Sequence, residues 1–341
     1  MRDKPDIPEE RLRACLHDQY GFSAIALDFL PLGLDVRSGI YRAVGDNGAA
    51  YLLKARRGPL YEPSLLIPRY LYDQGIASVA APLATKSRAL WADVDEWTLA
   101  VYPFIVGESG WRPAMTDAQW QAVGVAVKQI HQATPPAEGL RLPRRETFDP
   151  AEYIRWARAF EAREASAEGG SQHERALRSA WMARRPTIHA ALASMETLAG
   201  ALQRQSGPFV ICHADLHRGN IIRNQAGEVF LIDWDDVMLA PKERDFLFVG
   251  QAPADGTAPA QASAFFQGYG EVAVDWAALT YYLWERVVQD LIECARWVFG
   301  AEDVGEEAQA DAVRLFEGVF SAGDEVDAAL AAAAHLPSHL R

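Results

Sequence analysis

Cysteine is scarce in this chain: Cys15, Cys212 and Cys294 are the only three in 341 residues, too few and too scattered for a disulfide framework. No C-x-x-C pair offers a zinc site, and no G-x-S-x-G marks a hydrolase nucleophile. Apolar runs are short. Nowhere do the roughly 18 consecutive apolar residues of a membrane helix occur, and the N-terminal MRDKPDIPEERLR has no apolar signal-peptide core. Positive charge is in deficit as well, with 33 Lys and Arg against 46 Asp and Glu and a formal net charge of −13. That balance, without any basic stripe, argues against nucleic acid as a partner, whereas a cationic small molecule would be drawn in. The same excess also serves plain solubility, and composition alone does not choose between the two. The expected protein is cytoplasmic, with no membrane partner; no internal repeat is found, and nothing indicates an oligomeric state.

What is present is a globular composition, half of it apolar, in a chain long enough for one large or two moderate domains. Pro8, Glu9 and Glu10 open a short helix that Gly21 ends. Strand patterns then follow at 24–29, 40–44, 50–55, 80–85, 89–91 and 97–101, with a hairpin turn at Asp46-Asn47-Gly48 and one helix over 64–73. From Thr116 the period becomes helical: Thr116 and Gln119 form a capping box, and Trp120, Val123, Val127 and Ile130 make a core stripe. Residues 149–205 predict three helices, about 150–166, 172–184 and 187–204, broken at Gly169-Gly170 and Pro186. A small loop is expected at Gly256 to Pro259, a long helix over 276–299, and an alanine-rich helical tail around 328–334.

The chemistry is concentrated between Ile211 and Asp236, in ICHADLHRGNIIRNQAGEVFLIDWDD. A short strand ends at Cys212, and two further apolar runs, Ile221-Ile222 and Val229 to Ile232, flank the turn residues Asn224 to Gly227, which reads as a hairpin. His213, Asp215 and Asn220 give H-x-D-x-x-x-x-N, the spacing of a kinase catalytic loop. Phosphoryl transfer asks mainly for positioning and charge neutralisation: a carboxylate facing the acceptor hydroxyl and hard oxygen ligands for Mg²⁺. Asp215 fits the first role, and Asn220 with Asp233 the second. Asp235 and Asp236 follow closely and could face a second ion or an ammonium group of the substrate. His213 is expected to pack and bond within the loop.

Lys54 closes the apolar run Tyr51-Leu52-Leu53, where an ammonium can bridge the α- and β-phosphates of ATP if a carboxylate steadies it. Glu62 is the expected carboxylate, although Pro68 ought to disturb the helix that carries it. A lone strand lysine is ordinarily just solvated. Leu30 to Asp35 lies where a phosphate-covering loop would fold but does not match G-x-G-x-x-G, and a plain turn explains it equally well. In the long C-terminal helix Glu285, Gln289 and Glu293 recur at helical spacing with Asp290 adjoining; this acidic face could receive a cationic substrate or could simply be solvated.

HADLHRGN and LIDWDD resemble the catalytic and metal loops of the aminoglycoside phosphotransferase and choline kinase superfamily. LLKARRG, LYDQGI, AVYPFI, KQIHQ, APKERDFLFVG and YYLWERVVQD are most similar to its spectinomycin phosphotransferase branch. The resemblance implies an α+β, two-lobed protein-kinase-like fold with a small antiparallel sheet lobe and a larger, mostly helical one. It implies a nucleotide-binding lobe over 1–101, a hinge at 102–107 reading adenine through Pro103, Phe104 and Ile105, and a catalytic and substrate-binding lobe over 108–341 with a helical insertion at about 149–205. Asp245 would be architectural. The implied function is ATP- and Mg²⁺-dependent phosphorylation of a hydroxyl on an aminocyclitol or aminoglycoside antibiotic, spectinomycin foremost. A choline- or sugar-kinase-like metabolite kinase would carry the same loops, and a non-catalytic nucleotide- or drug-binding module is a third reading.

Overall fold

In the computed structural model the described residues are 4–32, 37–111, 114–135, 142–165, 167, 169–205, 207–249, 260–300 and 305–341. They form two compact units, one of residues 1–144 with 210–239 and the other of 145–209 with 240–341. This division places the catalytic-loop stretch in the same unit as the N-terminal sheet, whereas the expected division cuts at 101 and 107. Half of the expected phosphate-covering loop, from Gly33 to Asp35, and the expected turn at Gly256 to Pro259 lie outside the described residues.

The first unit begins with helix α1 (Glu9–Cys15) and a wide turn, Leu16–Tyr20, which Gly21 closes at φ +81°. Strands β1 (Ala24–Leu30), β2 (Ser38–Gly45), β3 (Ala50–Arg57), β4 (Ala92–Val94) and β5 (Trp97–Pro103) form a five-stranded antiparallel sheet in the order β1-β2-β3-β5-β4. Alternation along β3 fixes its two faces. Leu53 and Ala55 are fully buried with Leu27, Tyr41, Leu99 and Val101 under Leu12 and Leu16. Lys54 and Arg56 point the other way, the side on which Ala100 packs with Leu65 of helix α2 (Pro63–Asp73). Pro68 sits inside α2 without ending it.

Two strand expectations fail, each for a local reason. Residues 80–85 form no strand: Ala80 donates to Leu231 O (3.0 Å) and Leu83 to Val101 O (2.7 Å), but Pro82 between them has no N–H to extend a ladder. The pattern at 89–91 is spent on a turn, in which Thr85 Oγ1 accepts from the Ala89 N–H (3.0 Å), so the strand begins at Ala92.

The unit continues with β6 (Gly107–Ser109), α3 (Asp117–Gln132, capped by Thr116 and Gln119), β8 (Val210–Cys212), β9 (Ile221–Asn224) and β10 (Val229–Leu231), while β7 (Arg144–Arg145) and β11 (Met238–Ala240) each span one of its chain boundaries. β9 and β10 make the expected hairpin, and β6 pairs with the free side of β9.

The second unit is built of α4 (Ala151–Glu164), α5 (Gln172–Leu202), α6 (Ala260–Tyr269), α7 (Trp276–Phe299), α8 (Glu306–Gly318) and α9 (Glu325–Ala333). Its core joins Leu177, Trp181, Met195, Tyr281, Leu291 and Phe316. The two helices expected over 172–204 are one: α5 runs through Pro186. Loss of one backbone bond and the ring clash cost about 3 kcal/mol, and each fully buried Leu, Ile or Met on the continuous apolar face recovers roughly 1.5–3 kcal/mol, so packing decides.

Candidate active site

The loop between β8 and β9 is folded back on itself by its own polar groups. His213 is fully buried; its Nε2 donates to Ile232 O (2.8 Å), its Nδ1 accepts the Asp215 N–H (3.4 Å), and its ring packs on Trp234 at 4.6 Å between centroids. Asn220 Nδ2 donates to Asp215 O (2.8 Å) and lies 3.3 Å from Asp215 Oδ2. His217 Nδ1 accepts the Gly219 N–H (2.9 Å), which leaves the ring proton on Nε2, 3.6 Å from Asp215 Oδ2. The Ile232 N–H donates to Asn220 O (2.9 Å), so the loop and the residue preceding Asp233 are tied together. Ala214 at φ +70° and Asp233 at φ +61° adopt left-handed backbone, at a cost of order 1–2 kcal/mol each, which the surrounding bonds sustain.

Lys54 lies in mid-strand, paired with Ile40 and Ala100, and not at the end of β3 as its place after an apolar run suggests. Its Nζ is 2.8 Å from Asp233 Oδ1 and 2.8 Å from Asp235 Oδ2, and Arg56 Nη1 is 3.1 Å from the same Asp235 oxygen. Burial works against the ammonium, but Asp233 and Asp235 outweigh it and hold Lys54 above the usual lysine range. Burial likewise opposes charge on Asp233, where Lys54 wins and holds the carboxyl below the usual range. Glu62 stands at the N-terminus of α2, and the carboxylates at Lys54 Nζ are those of Asp233 and Asp235, from the segment after β10.

Asp236 is engaged by Arg144 (2.6 Å), whose backbone N–H donates to the Tyr61 hydroxyl (2.8 Å), which in turn donates to Val237 O (2.9 Å). Neither Asp235 nor Asp236 is therefore a simple open acidic site. In the expected hinge Pro103 has no N–H and that of Phe104 donates to Ala50 O (3.0 Å), so Ile105 is the residue of the three whose amide could serve a ligand. Glu285 and Asp290 lie in the second unit on α7. Glu285 is buried against Arg244, with Tyr281 Oη at 3.5 Å, and Asp290 is 3.0 Å from Arg286. Burial pushes the Glu285 carboxyl up despite the guanidinium beside it. The acidic stripe of α7 is thus internally paired and not an open face.

Sequence reasoning missed Arg56, Arg144 and Tyr61. Arg56 carried a signal, since it shares the face of Lys54 at strand period 2. Arg144 and Tyr61 carried none, because their partners lie in a remote segment.

The donor set suits a hard divalent cation. The amide nitrogen of Asn220 is committed to Asp215, which leaves its Oδ1 as an oxygen donor, and Asp233 supplies a carboxylate already held in its charged form. Two segments tied together thus bring the Asp215 carboxylate near oxygen donors from Asn220 and Asp233, and β3 adds the Lys54 ammonium. This is the equipment of phosphoryl transfer.

Known proteins agree with that reading. No curated protein sequence matches the chain. Among solved structures, a spectinomycin phosphotransferase crystallised with ADP and spectinomycin is similar at 27% identity and a TM-score of 0.87, over 96% of this chain and 99% of that one. An aminoglycoside phosphotransferase from Alicyclobacillus acidocaldarius (16% identity, TM-score 0.62, covering 99% and 97%) shares the fold. So does an amicoumacin kinase in complex with AMP-PNP and Ca²⁺ (18%, 0.61, 91% and 92%). The α+β architecture of an antiparallel sheet unit and a helical unit is that of these kinases. The profile of the phosphotransferase enzyme family matches residues 30–282, most of the chain and all of the loops described above, and the chain belongs to that family.

Proposed function

We propose that this protein is an ATP-dependent O-phosphotransferase acting on a hydroxyl of a cationic aminocyclitol, spectinomycin foremost, and so a drug-inactivating enzyme of the cytoplasm. The observation that carries the reading is the bonded set in one unit: Asp215 held by Asn220, and Lys54 held by Asp233. The similarity to a spectinomycin phosphotransferase over nearly the whole of both chains supports the substrate, and the net charge of −13 suits a cation.

In this mechanism Asp215 orients the acceptor hydroxyl and takes its proton as the bond to phosphorus forms; in a loose transition state that proton leaves late, so a strong base is not required. Lys54 positions the α- and β-phosphates. Asn220 and Asp233 would hold Mg²⁺, which when bound neutralises charge on the phosphates. Asp235 steadies Lys54 and Arg56.

The test is nucleotide consumption by the purified protein with Mg²⁺ and ATP, comparing spectinomycin, a kanamycin-type aminoglycoside, choline and no acceptor. Turnover with spectinomycin alone is expected, and turnover with choline alone would make the protein a metabolite kinase. Asp215→Ala should lower turnover by roughly 10²–10⁴-fold while ATP binding by calorimetry persists. Equal drug protection of cells by parent and variant would instead identify a sequestering module.

A further inference from the structure

Trp111 is the one large aromatic among the described residues that stands mostly in solvent, 56% exposed, and it is nevertheless held in place. The N–H of Gly110, just before it, lies 2.9 Å from Arg218 O and 2.8 Å from Ile221 O, both in the segment that follows Asp215. Its indole lies 6.1 Å from the His217 ring at an interplanar angle of 31°. Gly219 has room for no side chain there: a Cβ would stand 2.7 Å from Trp111 Nε1 and 2.6 Å from His217 Cε1. His217 in turn presents Nε2 to Asp215 Oδ2 at 3.6 Å. A single imidazole therefore separates an exposed, anchored indole from the carboxylate assigned to the acceptor hydroxyl.

We propose that Trp111 is an acceptor-binding residue, a fixed aromatic platform on which a compact cyclic polyol carrying a protonated amine lays its ring. An indole face open to solvent is available to a ligand: a cation over it gains attraction from the ring quadrupole, and apolar ring atoms laid on it gain contact area. Asp215 then meets a hydroxyl of a substrate already oriented. The inference rests on the phosphotransferase reading above and names the group that selects the acceptor.

The experiment pairs steady-state kinetics with titration calorimetry, using spectinomycin as the probe on the full chain and on Trp111→Ala and Trp111→Phe. Trp111→Ala is expected to raise the spectinomycin KM and Kd about tenfold or more, with the KM for ATP and the melting temperature unchanged. Trp111→Phe should recover most of that loss, because it keeps an aromatic face. Equal spectinomycin Kd for the parent and Trp111→Ala, or no binding by the parent, overturns the proposal. Failure of the kinase reading looks different: spectinomycin binds in a Trp111-dependent way but no acceptor-dependent turnover is seen.

Discussion

Lys54 and Glu285 show how an ionisable side chain takes its role from what it meets. Lys54 finds its carboxylates 179 and 181 residues along the chain, so no reading of local spacing could have reached Asp233 and Asp235. Asp215 and Asn220 are different, because their bond closes within five residues and their spacing alone pointed to them. A carboxylate whose folded pKa lies below its unfolded value, about 3.9 for Asp, contributes stability that is complete above that value and is lost as pH falls through the folded pKa. Asp233 is such a group, so Lys54→Met should be less stable than the parent at neutral pH, with the gap closing below about pH 4. Denaturant unfolding from pH 7 down to 3 reads this, and a gap that stays constant would sink the assignment. Glu285→Ala leaves Arg244 buried and unpaired, at a cost of roughly 3–5 kcal/mol. Its signature should be a fall in melting temperature with the acceptor KM unmoved. A raised KM at unchanged stability would return Glu285 to the substrate site.

Elements were legible where periodicity and end signals agreed. The capping box read at Thr116 bonds as its sequence requires, and the structure adds a second at the start of α5, with Glu174 N–H donating to Ser171 Oγ at 3.1 Å. Ser171→Ala should lower unfolding free energy by about 1 kcal/mol, measured by urea denaturation; no change would mean the start of α5 is held by packing alone. The hairpin at Asp46-Asn47-Gly48 was legible because its sequence meets a backbone demand, φ +76° at Gly48. Other elements were not legible. An internal proline weighs against a helix in any local reading, yet α2 and α5 both carry one, since burial of a long apolar face is a tertiary gain. At 80–85 the opposite happened, and apolar residues with strand propensity form isolated contacts because Pro82 breaks the ladder.

For the molecule as a whole, the charge of −13 predicts a field that draws cations toward it. The KM of a cationic acceptor should therefore rise as salt is increased from about 20 to 500 mM, where the Debye length shrinks several-fold, while a neutral polyol tested in parallel should not follow. An acceptor KM indifferent to salt would show that local contacts carry recognition alone. The sequence by itself determined the charge balance, the strand and helix periods, and the catalytic loop, because each depends on residues near one another in the chain. Only the tertiary structure decided that Asp235 and Asp233 meet Lys54, that Arg144 engages Asp236, that Glu285 is buried in an ion pair, and that Trp111 stands beside His217. The physical reason is common to all four: a charge or a ring acquires its function from its neighbours, and those neighbours are brought in from distant segments by burial of the apolar faces between them.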